Sequence, residues 1–275
     1  MQLKALLFTA LAATGVIAQR SCGTPKPTEE QVQIAQNLQI LESEAALSGK
    51  SARLAPISIN VYWHVTATST SVSGGYLTQA TLDRQLAVLN TAFAPHDISF
   101  VQAGVDWTVN SQYANDQAEL AMKRALRKGT YADLNVYFVP GTQYLGYAYF
   151  PQAVTSGSTA FYRDGVVIRS STVPGGSQAK YNLGHTATHE IGHWLGLYHT
   201  FQGGCTGSGD FVSDTPAEAS ESYNCATTRD SCPNDPGLDP VRNYMDYSDD
   251  SCFTGFTDGQ EARINSYWTQ YRAGK

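Results

Sequence analysis

The sequence predicts an α+β protein with two lobes, and three observations support this prediction. Residues 57–171 contain five segments typical of β-strands, with two helical segments between them. A further helical segment, residues 182–197, follows the last strand. Beyond residue 199 the chain is rich in Gly, Ser, Asp and Pro and carries four cysteines, which indicates an irregular segment held by disulfides. The two lobes are therefore expected at residues 51–199 and 200–275.

The first 18 residues have the pattern of a secretory signal peptide. Lys4 precedes an apolar run that reaches Ala18, and residues 16–18 form a small-residue cleavage site. The run is too short for a membrane anchor, and Thr14 interrupts it. We therefore expect a secreted, extracellular protein that has no membrane partner.

A helix and a linker are predicted after the signal peptide. Thr28 and Gln31 have the spacing of a capping box, and apolar residues then recur every three or four positions as far as Ala45. The stretch "SGKSARLAP", residues 48–56, ends this pattern and offers a site for proteolytic processing. Residues 19–50 are therefore interpreted as a propeptide.

The N-lobe elements follow from hydrophobic periodicity. The predicted helices cover residues 78–93 and 116–128, the second ended by Gly129, and the predicted strands cover residues 57–65, 97–109, 133–140, 146–151 and 164–171. The fourth strand is short, so we expect it at an edge of the sheet. A last helix is predicted over residues 258–274.

Charge and cysteines limit the possible partners and the compartment. The net charge is −6 and the chain has no run of Lys or Arg, which argues against a nucleic-acid partner. Four cysteines, at positions 205, 225, 232 and 252, allow three pairings in an oxidising compartment. Cys22 is left over and lies in the propeptide.

The stretch "GHTATHEIGHWLGLYHTF", residues 184–201, contains four of the six histidines in the chain. His189 and His193 are four residues apart, so a helix places them on one face, where two imidazoles can bind one Zn²⁺. Gly196 can end the helix sharply and return the chain, which brings His199 as a third ligand. Three histidines leave one position open, as in a catalytic zinc site.

Glu190 lies next to the first of these ligands and is the candidate general base. It would take a proton from a water activated by zinc and pass it to the leaving amine. The motif HExxH alone also occurs in unrelated helices, but the longer "HEIGHWLGLYH" fixes five positions. His185 is interpreted as a residue of the first helical turn, while His64 and His96 are expected to be packing or surface residues.

The string HExxHxxGxxH is the metzincin signature, and "NYMDYSDDSC" supplies the Met-turn of that group at Met245. More narrowly, "THEIGHWLGLYHTFQGGC" followed by "NYMDY" is similar to the pappalysin family, of peptidase M43 type, and to its small secreted fungal metalloproteases. The resemblance covers nearly the whole mature chain. It implies a metzincin-like fold in which a twisted, mixed five-stranded sheet and the active-site helix form the N-lobe, and the cleft lies between the lobes.

The resemblance also implies roles for residues around the zinc. Met245 would form an apolar floor under the metal, and Tyr247 would stabilise the oxyanion of the tetrahedral intermediate. Residues 146–150 would pair with extended polypeptide substrates by β-augmentation. The expected disulfides are Cys205–Cys232 and Cys225–Cys252.

Structural calcium is also implied by the resemblance. The stretch "GDFVSDTP" offers Asp210, Asp214 and Thr215 as oxygen ligands, although acidic loops are usually only solvated. The expected cofactors are therefore one catalytic Zn²⁺ and, in addition, Ca²⁺.

The sequence therefore predicts a secreted zinc metalloendopeptidase, monomeric and made as a zymogen. Cys22 would occupy the open zinc position until the propeptide is removed, although it could also be an unpaired or intermolecular cysteine. The alternative function is a catalytically inactive zinc-binding protein on the same scaffold. The presence of Glu190 disfavours that alternative, and the open edge strand disfavours an exopeptidase.

Overall fold

The computed structural model of the protein describes residues 19–48 and 55–275. The predicted signal peptide and residues 49–54 of the predicted linker lie outside the described residues. Within the described ranges, no helix combines the length and the apolar character needed to cross a membrane.

Five strands form one sheet in the order β2-β1-β3-β5-β4. They are β1 (Ile57–Ala67), β2 (Ile98–Val109), β3 (Leu134–Val139), β4 (Gly146–Ala148) and β5 (Val166–Arg169). All neighbours pair in parallel except β4, which runs antiparallel to β5 at one edge of the sheet. The mixed five-stranded sheet and its short edge strand are thus as the sequence predicts.

Burial along the strands explains their sequences. In β1 the side chains alternate between buried and exposed from Ile57 to Val61, and from Trp63 onward every residue is buried. Every residue of β3 is buried, because the strand lies in the middle of the sheet and is covered on both faces. The apolar run of β3 is therefore continuous, whereas the first half of β1 follows the two-residue period of a half-exposed strand.

Seven α-helices accompany the sheet in the described part of the chain. They are α1 (Glu29–Leu47), α2 (Gln79–Phe93), α3 (Ser111–Ala114), α4 (Glu119–Leu126), α5 (Thr159–Arg163), α6 (His185–Trp194) and α7 (Asp258–Tyr267). Thr28 and Thr257 close capping boxes at the starts of α1 and α7, which satisfies backbone N–H groups that have no partner within the helix.

The main core lies between the sheet and helices α2, α6 and α7. It is built from large side chains that are fully or almost fully buried: Trp63, Leu82, Leu89, Phe93, Phe100, Phe138, Ile191, Trp194 and Ile264. Because α6 contributes to this core, the helix that carries the histidine motif is fixed to the sheet by packing.

The helix predicted over residues 116–128 is present as α4 but is shorter, because it begins at Glu119. Helix α3 precedes it and was not predicted; Asn110 caps α3, and Asp116 takes the left-handed conformation, with φ 56°, between α3 and α4. Helix α4 then ends at Leu126, before Gly129. Helix α5 was not predicted, although Ser158 at its start is a typical N-cap and accepts a hydrogen bond from the Phe161 N–H.

The C-lobe contains few regular elements before α7 and is tied to the N-lobe by a buried cation. Arg272, in a single π-helical turn after α7, donates to Asp164 Oδ1 at 2.9 Å. The same guanidinium donates to the backbone oxygen of Trp194 at 2.9 Å, at the end of α6. Arg272 and Asp164 are both almost fully buried, so the end of the chain anchors the histidine-bearing helix.

Candidate metal centre

Two glycines determine where α6 begins and how the chain leaves it. Gly184 precedes the helix with φ 93°, and Gly196 follows it with φ 103°, a region that favours glycine. A Cβ atom at Gly196 would overlap the ring of Tyr267. The turn after α6 then directs His199 back toward the helix, as the sequence predicts.

The structure brings His189, His193 and His199 together. Their ring centroids are 4.8 Å apart for the first two, 5.2 Å for His189 and His199, and 4.4 Å for His193 and His199. Their ligand atoms and the Cys22 Sγ all lie within 4.8 Å of one another.

Hydrogen bonds set which nitrogen faces the centre in two of the imidazoles. His189 Nδ1 donates to the Tyr244 backbone oxygen and His193 Nδ1 to the Leu197 backbone oxygen, both at 2.7 Å. The Nε2 atoms of these two histidines therefore carry lone pairs that point inward. The two backbone oxygens that orient the rings could not be deduced from the spacing of the histidines.

The donor atoms fit a bound metal ion. The Nε2 of His189 is buried and has no hydrogen-bond partner. The Nε2 atoms of His193 and His199 lie 3.0 Å apart, so two lone pairs would face each other unless a cation or a proton lies between them. A buried, unpartnered acceptor is costly, and a metal ion would satisfy all three nitrogens.

Burial also keeps these imidazoles neutral. It lowers the pKa of His193 to about 4, and it lowers the pKa of His189 and His199 well below the ordinary histidine value, with the neighbouring imidazoles adding to the effect. Neutral imidazole is the form that binds a metal, so these histidines are in the metal-binding form at neutral pH.

Glu190 lies beside this group, against the edge strand. Its carboxylate is buried, with 1% of the residue exposed, and burial raises its pKa to about 7. Oε2 accepts hydrogen bonds from the Cys22 thiol at 3.3 Å and from the Thr24 hydroxyl at 3.0 Å. A side chain at Gly146 of β4 would come within 2.7 Å of Glu190 Cγ, so this glycine makes room for the carboxylate.

Met245 and Tyr247 line the C-lobe side of the group. Met245 is completely buried, and a Cβ atom at Gly192 of α6 would overlap its sulfur, so the helix and the methionine are in close contact. The Tyr247 ring centroid lies 5.1 Å from that of His199, and burial raises the pKa of its phenol. Its hydroxyl accepts a hydrogen bond from the Cys22 N–H at 3.3 Å.

A buried amide pair holds the turn that carries Met245. Asn243 Nδ2 donates to Gln260 Oε1 at 2.8 Å, and Gln260 Nε2 donates to Asn243 Oδ1 at 3.1 Å. Asn243 Oδ1 also accepts the Met245 N–H at 2.9 Å. Neither amide could be identified from the sequence alone, because their pairing joins α7 to a loop 17 residues earlier.

Residues 21–23, in the predicted propeptide, occupy the free side of the edge strand. The Leu145 N–H donates to the Ser21 oxygen at 2.9 Å, and the Gly23 N–H donates to the Gly146 oxygen at 2.8 Å. Cys22 and Gly146 form a parallel bridge. A side chain at Gly23 would clash with the ring of Tyr144, so glycine is needed for this close approach.

Arg20 fills a pocket next to the histidine group. No local pattern in the sequence indicates this pocket. Its guanidinium donates to Asp250 Oδ1 at 2.5 Å, and both side chains are buried. The guanidinium carbon lies 5.0 Å from the ring centroid of Tyr181 and 4.9 Å from that of Phe253. Asp250 Oδ2 accepts the Leu183 N–H at 2.9 Å, which fixes the carboxylate in the pocket.

The other histidines lie outside the candidate metal group. His185 packs against the Tyr244 ring with a centroid distance of 5.1 Å. His64 is buried in the sheet, where its two nitrogens contact Asp106 at 2.8 Å and Asn135 at 2.9 Å. His96 Nδ1 contacts a carboxylate of α7 at 2.8 Å.

The three calcium candidates are placed differently from one another. Asp210 is buried, and its Oδ1 accepts the Thr215 hydroxyl at 2.6 Å, while its Oδ2 has no partner. Burial raises the pKa of Asp210 to about 7. Asp214 instead caps α7, where it accepts the Thr257 hydroxyl at 2.7 Å and the Gly259 N–H at 2.8 Å. The calcium site stays a prediction.

The disulfides of the structure are Cys205–Cys232 and Cys225–Cys252, and Cys22 is the free cysteine. These are the pairs that the resemblance implied. Cys252 follows Asp250 by two residues and precedes Phe253, so its disulfide joins the wall of the Arg20 pocket to a second loop of the C-lobe.

Comparison with known proteins agrees with this geometry. A peptidase M43 family model, described as pregnancy-associated plasma protein-A, matches residues 131–268. An extracellular metalloprotease of Colletotrichum graminicola is 70% identical to the chain over 275 residues, and the match covers 99% of each of the two chains.

Two solved structures are similar to this chain over most of its length. Mirolysin in complex with compound 9 is 28% identical, with a TM-score of 0.68, and the match covers 79% of this chain and 94% of that one. A promirolysin mutant of Tannerella forsythia is 26% identical, with a TM-score of 0.67, and the match covers 92% of this chain and 95% of that one.

Proposed function

The chain belongs to the peptidase M43 family of metalloproteases, and on that premise we propose that it is a secreted zinc endopeptidase made as a latent precursor. The observation that carries the proposal is the donor set of three neutral imidazoles beside a buried carboxylate. Two Nε2 atoms face each other at 3.0 Å and the third has no partner, which is the arrangement that a metal ion resolves.

His189, His193 and His199 would hold the zinc, which supplies Lewis acidity at this position when bound. Glu190 would take a proton from the attacking water and return it to the leaving amine. A carboxyl whose pKa is about 7 can gain and lose a proton near neutrality, as such a group must. The Tyr247 hydroxyl, kept protonated by its raised pKa, would donate to the carbonyl oxygen as negative charge develops.

The substrate would be an extended polypeptide that pairs with β4. The backbone of Ser21–Gly23 forms hydrogen bonds with Leu145 and with Gly146 of this strand, which supports binding of an extended chain at the edge. Removal of the propeptide would expose the same hydrogen-bonding groups to a substrate. Nothing in this mode of binding requires a chain end, so internal cleavage is expected.

The pocket that holds Arg20 would select a basic side chain of the substrate. Once the propeptide leaves, Asp250 has lost its ion-pair partner, and the two rings that contacted the Arg20 guanidinium remain beside the pocket. A buried charge without a partner is unfavourable, so a guanidinium or ammonium group of the substrate would restore the ion pair that Asp250 formed with Arg20. Arginine fits best, because its planar cation can stack on Tyr181 and Phe253 while it pairs with the carboxylate.

Latency would come from Cys22. Its thiol lies with the three imidazoles, in the position that water needs, and its pKa is raised by burial and by Glu190. A bound zinc would favour the thiolate instead and make the sulfur a fourth ligand. The promirolysin structure, a proform, matches 92% of this chain, which supports a precursor of this kind.

Digestion of a long denatured protein by the processed enzyme, with the products sequenced by mass spectrometry, tests the function. We expect cuts inside the chain that cluster beside Arg. Trimming from the ends would identify an exopeptidase, and no cleavage by a preparation that contains zinc would favour the inactive zinc-binding protein. An Asp250→Asn variant should lose the preference for Arg while it keeps its rate on neutral sites.

A further inference from the structure

Helix α1 docks on a surface that is separate from the metal centre. Ala35 of α1 is 1% exposed and packs among the rings of Phe150, Tyr198 and Phe211. Phe150 and Tyr198 meet edge to face at 4.9 Å, and Tyr198 and Phe211 at 6.0 Å. These three rings and Arg263 of α7 form what we call the α1 surface.

An ion pair is the polar part of this contact. Arg263 Nε donates to Glu42 Oε1 at 3.1 Å, and Nη2 donates to Glu42 Oε2 at 2.9 Å, which is a bidentate arrangement. Nη2 also donates to the Phe211 backbone oxygen at 2.5 Å. The side chain of Arg263 is 1% exposed and that of Glu42 is 16% exposed, so the propeptide neutralises a buried cation of the enzyme body.

The apolar contact of α1 with this surface lies in the first half of the helix. Ala35 is buried and Val32 packs against the same cluster, whereas Ile40, Leu41 and Leu47 are 58%, 60% and 90% exposed. The Glu42–Arg263 pair is therefore the contact that fixes the second half of the helix, and it gives the surface its selectivity for an acidic helix.

We propose that the α1 surface is a second peptide-binding site of the processed enzyme and that its ligand is the acidic helix of the chain's own propeptide, residues 28–48. Cutting the linker removes no contact between α1 and Arg263. Loss of the helix would break the bidentate Glu42–Arg263 pair and uncover the three rings that Ala35 and Val32 cover, and both changes oppose release. The segment therefore stays bound after the linker is cut.

Retention of α1 has a consequence for the metal centre. Arg20 and Cys22 belong to the same propeptide segment as α1, so a docked helix keeps them at a high effective concentration beside the cleft. Cutting the linker alone then leaves the enzyme largely latent, and activity appears on dilution or when the segment is degraded. This consequence rests on the proposed latency, whereas binding at the α1 surface does not.

The test uses the full chain with a recognition sequence for a site-specific protease inserted between residues 50 and 51. An Arg20→Gln, Cys22→Ser background removes the ion pair with Asp250 and the zinc–thiol contact, so that retention of the fragment depends mainly on the α1 surface. After the cut, gel filtration reports how much propeptide fragment elutes with the enzyme body. Glu42→Gln is the test variant, and Glu44→Gln is the matched control, because Glu44 lies on the same helix but is exposed.

We expect the parent and the Glu44→Gln fragment to co-elute with the enzyme body, and the Glu42→Gln fragment to dissociate at least tenfold more readily. Both variants change only the propeptide, so folding of the enzyme body is not at risk. Equal retention of the two variants, or immediate loss of the parent fragment, would overturn the proposal. The readout needs no hydrolysis, so it stays valid even if the chain cleaves no peptide.

Discussion

The two walls of the cleft are built in different ways. On the N-lobe side, one helix supplies His189, Glu190 and His193, and its regular geometry places all three. On the C-lobe side, Met245 and Tyr247 lie in a loop, and no spacing rule positions them. The first wall is set by local sequence, whereas the second depends on contacts with residues far along the chain.

The contacts that hold the C-lobe wall are specific and few. The Asn243–Gln260 amide pair fixes the turn under the metal centre, and the Cys225–Cys252 disulfide borders the Arg20 pocket. Changes in the helix should therefore affect chemistry directly. Changes in the loop should affect chemistry through the position of Tyr247, and changes between the lobes should affect stability.

The largest expected effect comes from the helix wall. Glu190→Ala should lower activity by about 10²–10⁴-fold, because the general base is lost while the three imidazoles remain. Zinc content, measured by elemental analysis, should not change. His193→Ala is the contrasting variant and should lose zinc together with activity. A Glu190→Ala enzyme that cleaves casein at nearly the parent rate would refute this role.

Tyr247→Phe tests the loop wall. Removal of its hydroxyl should lower kcat by about 10²-fold with little change in zinc content, because one donor to the developing oxyanion is lost. Tyr223→Phe is the matched control, since its ring lies 6.3 Å from that of Tyr247 and its hydroxyl bonds Glu221. Similar kcat values for the two variants would remove Tyr247 from the reaction.

Arg272→Met separates stability from chemistry. It leaves Asp164 buried without its main cation, which should lower the free energy of unfolding by about 3–5 kcal/mol. Arg124→Met, which removes an exposed contact to Thr159, should change the free energy of unfolding by less than about 0.5 kcal/mol. Equal denaturation midpoints for the two variants would show that the tie between the end of the chain and α6 is unimportant.

Asp210 gives a stability effect that depends on pH. Its folded pKa, about 7, lies above the ordinary value of about 3.9, so the unfolded chain loses this proton first as pH rises. Stability should therefore fall between about pH 4 and pH 7 in calcium-free buffer, and Asp210→Asn should remove this fall, which has an upper limit of about 4 kcal/mol at pH 8. Thermal melts of both proteins at pH 5 and pH 8 measure it, and a less stable variant at pH 8 would contradict the account.

Much of the fold could be predicted because its elements carry local signals. The strands alternate or run apolar, and α2 places Leu82, Leu89 and Phe93 on one buried face. Helix α3 was missed because it has four residues and is defined by the Asn110 cap, and α4 begins later than predicted because Asp116 is left-handed; periodicity reports neither feature. The short α5 was missed for the same reason, since five residues are too few to show a period.

Some residues of the candidate site could also be predicted from the sequence, and others could not. The histidines and Glu190 come from spacing within one short stretch of sequence, so they could be found without a structure. Arg20 and Asp250 lie 230 residues apart, and no local pattern connects them. The side-chain pocket, the amide pair under Met245 and the Glu42–Arg263 contact all depend on tertiary proximity, so only the folded chain identifies them.

We propose that three imidazoles hold a zinc ion and that Cys22 occupies its fourth position in the precursor. Zinc X-ray absorption of the purified full-length precursor measures these ligands. We expect one zinc with three nitrogen ligands at about 2.0–2.1 Å and one sulfur at about 2.3 Å, and loss of the sulfur in Cys22→Ser. A precursor that retains no zinc, or one whose zinc has only nitrogen and oxygen neighbours, would contradict the claim.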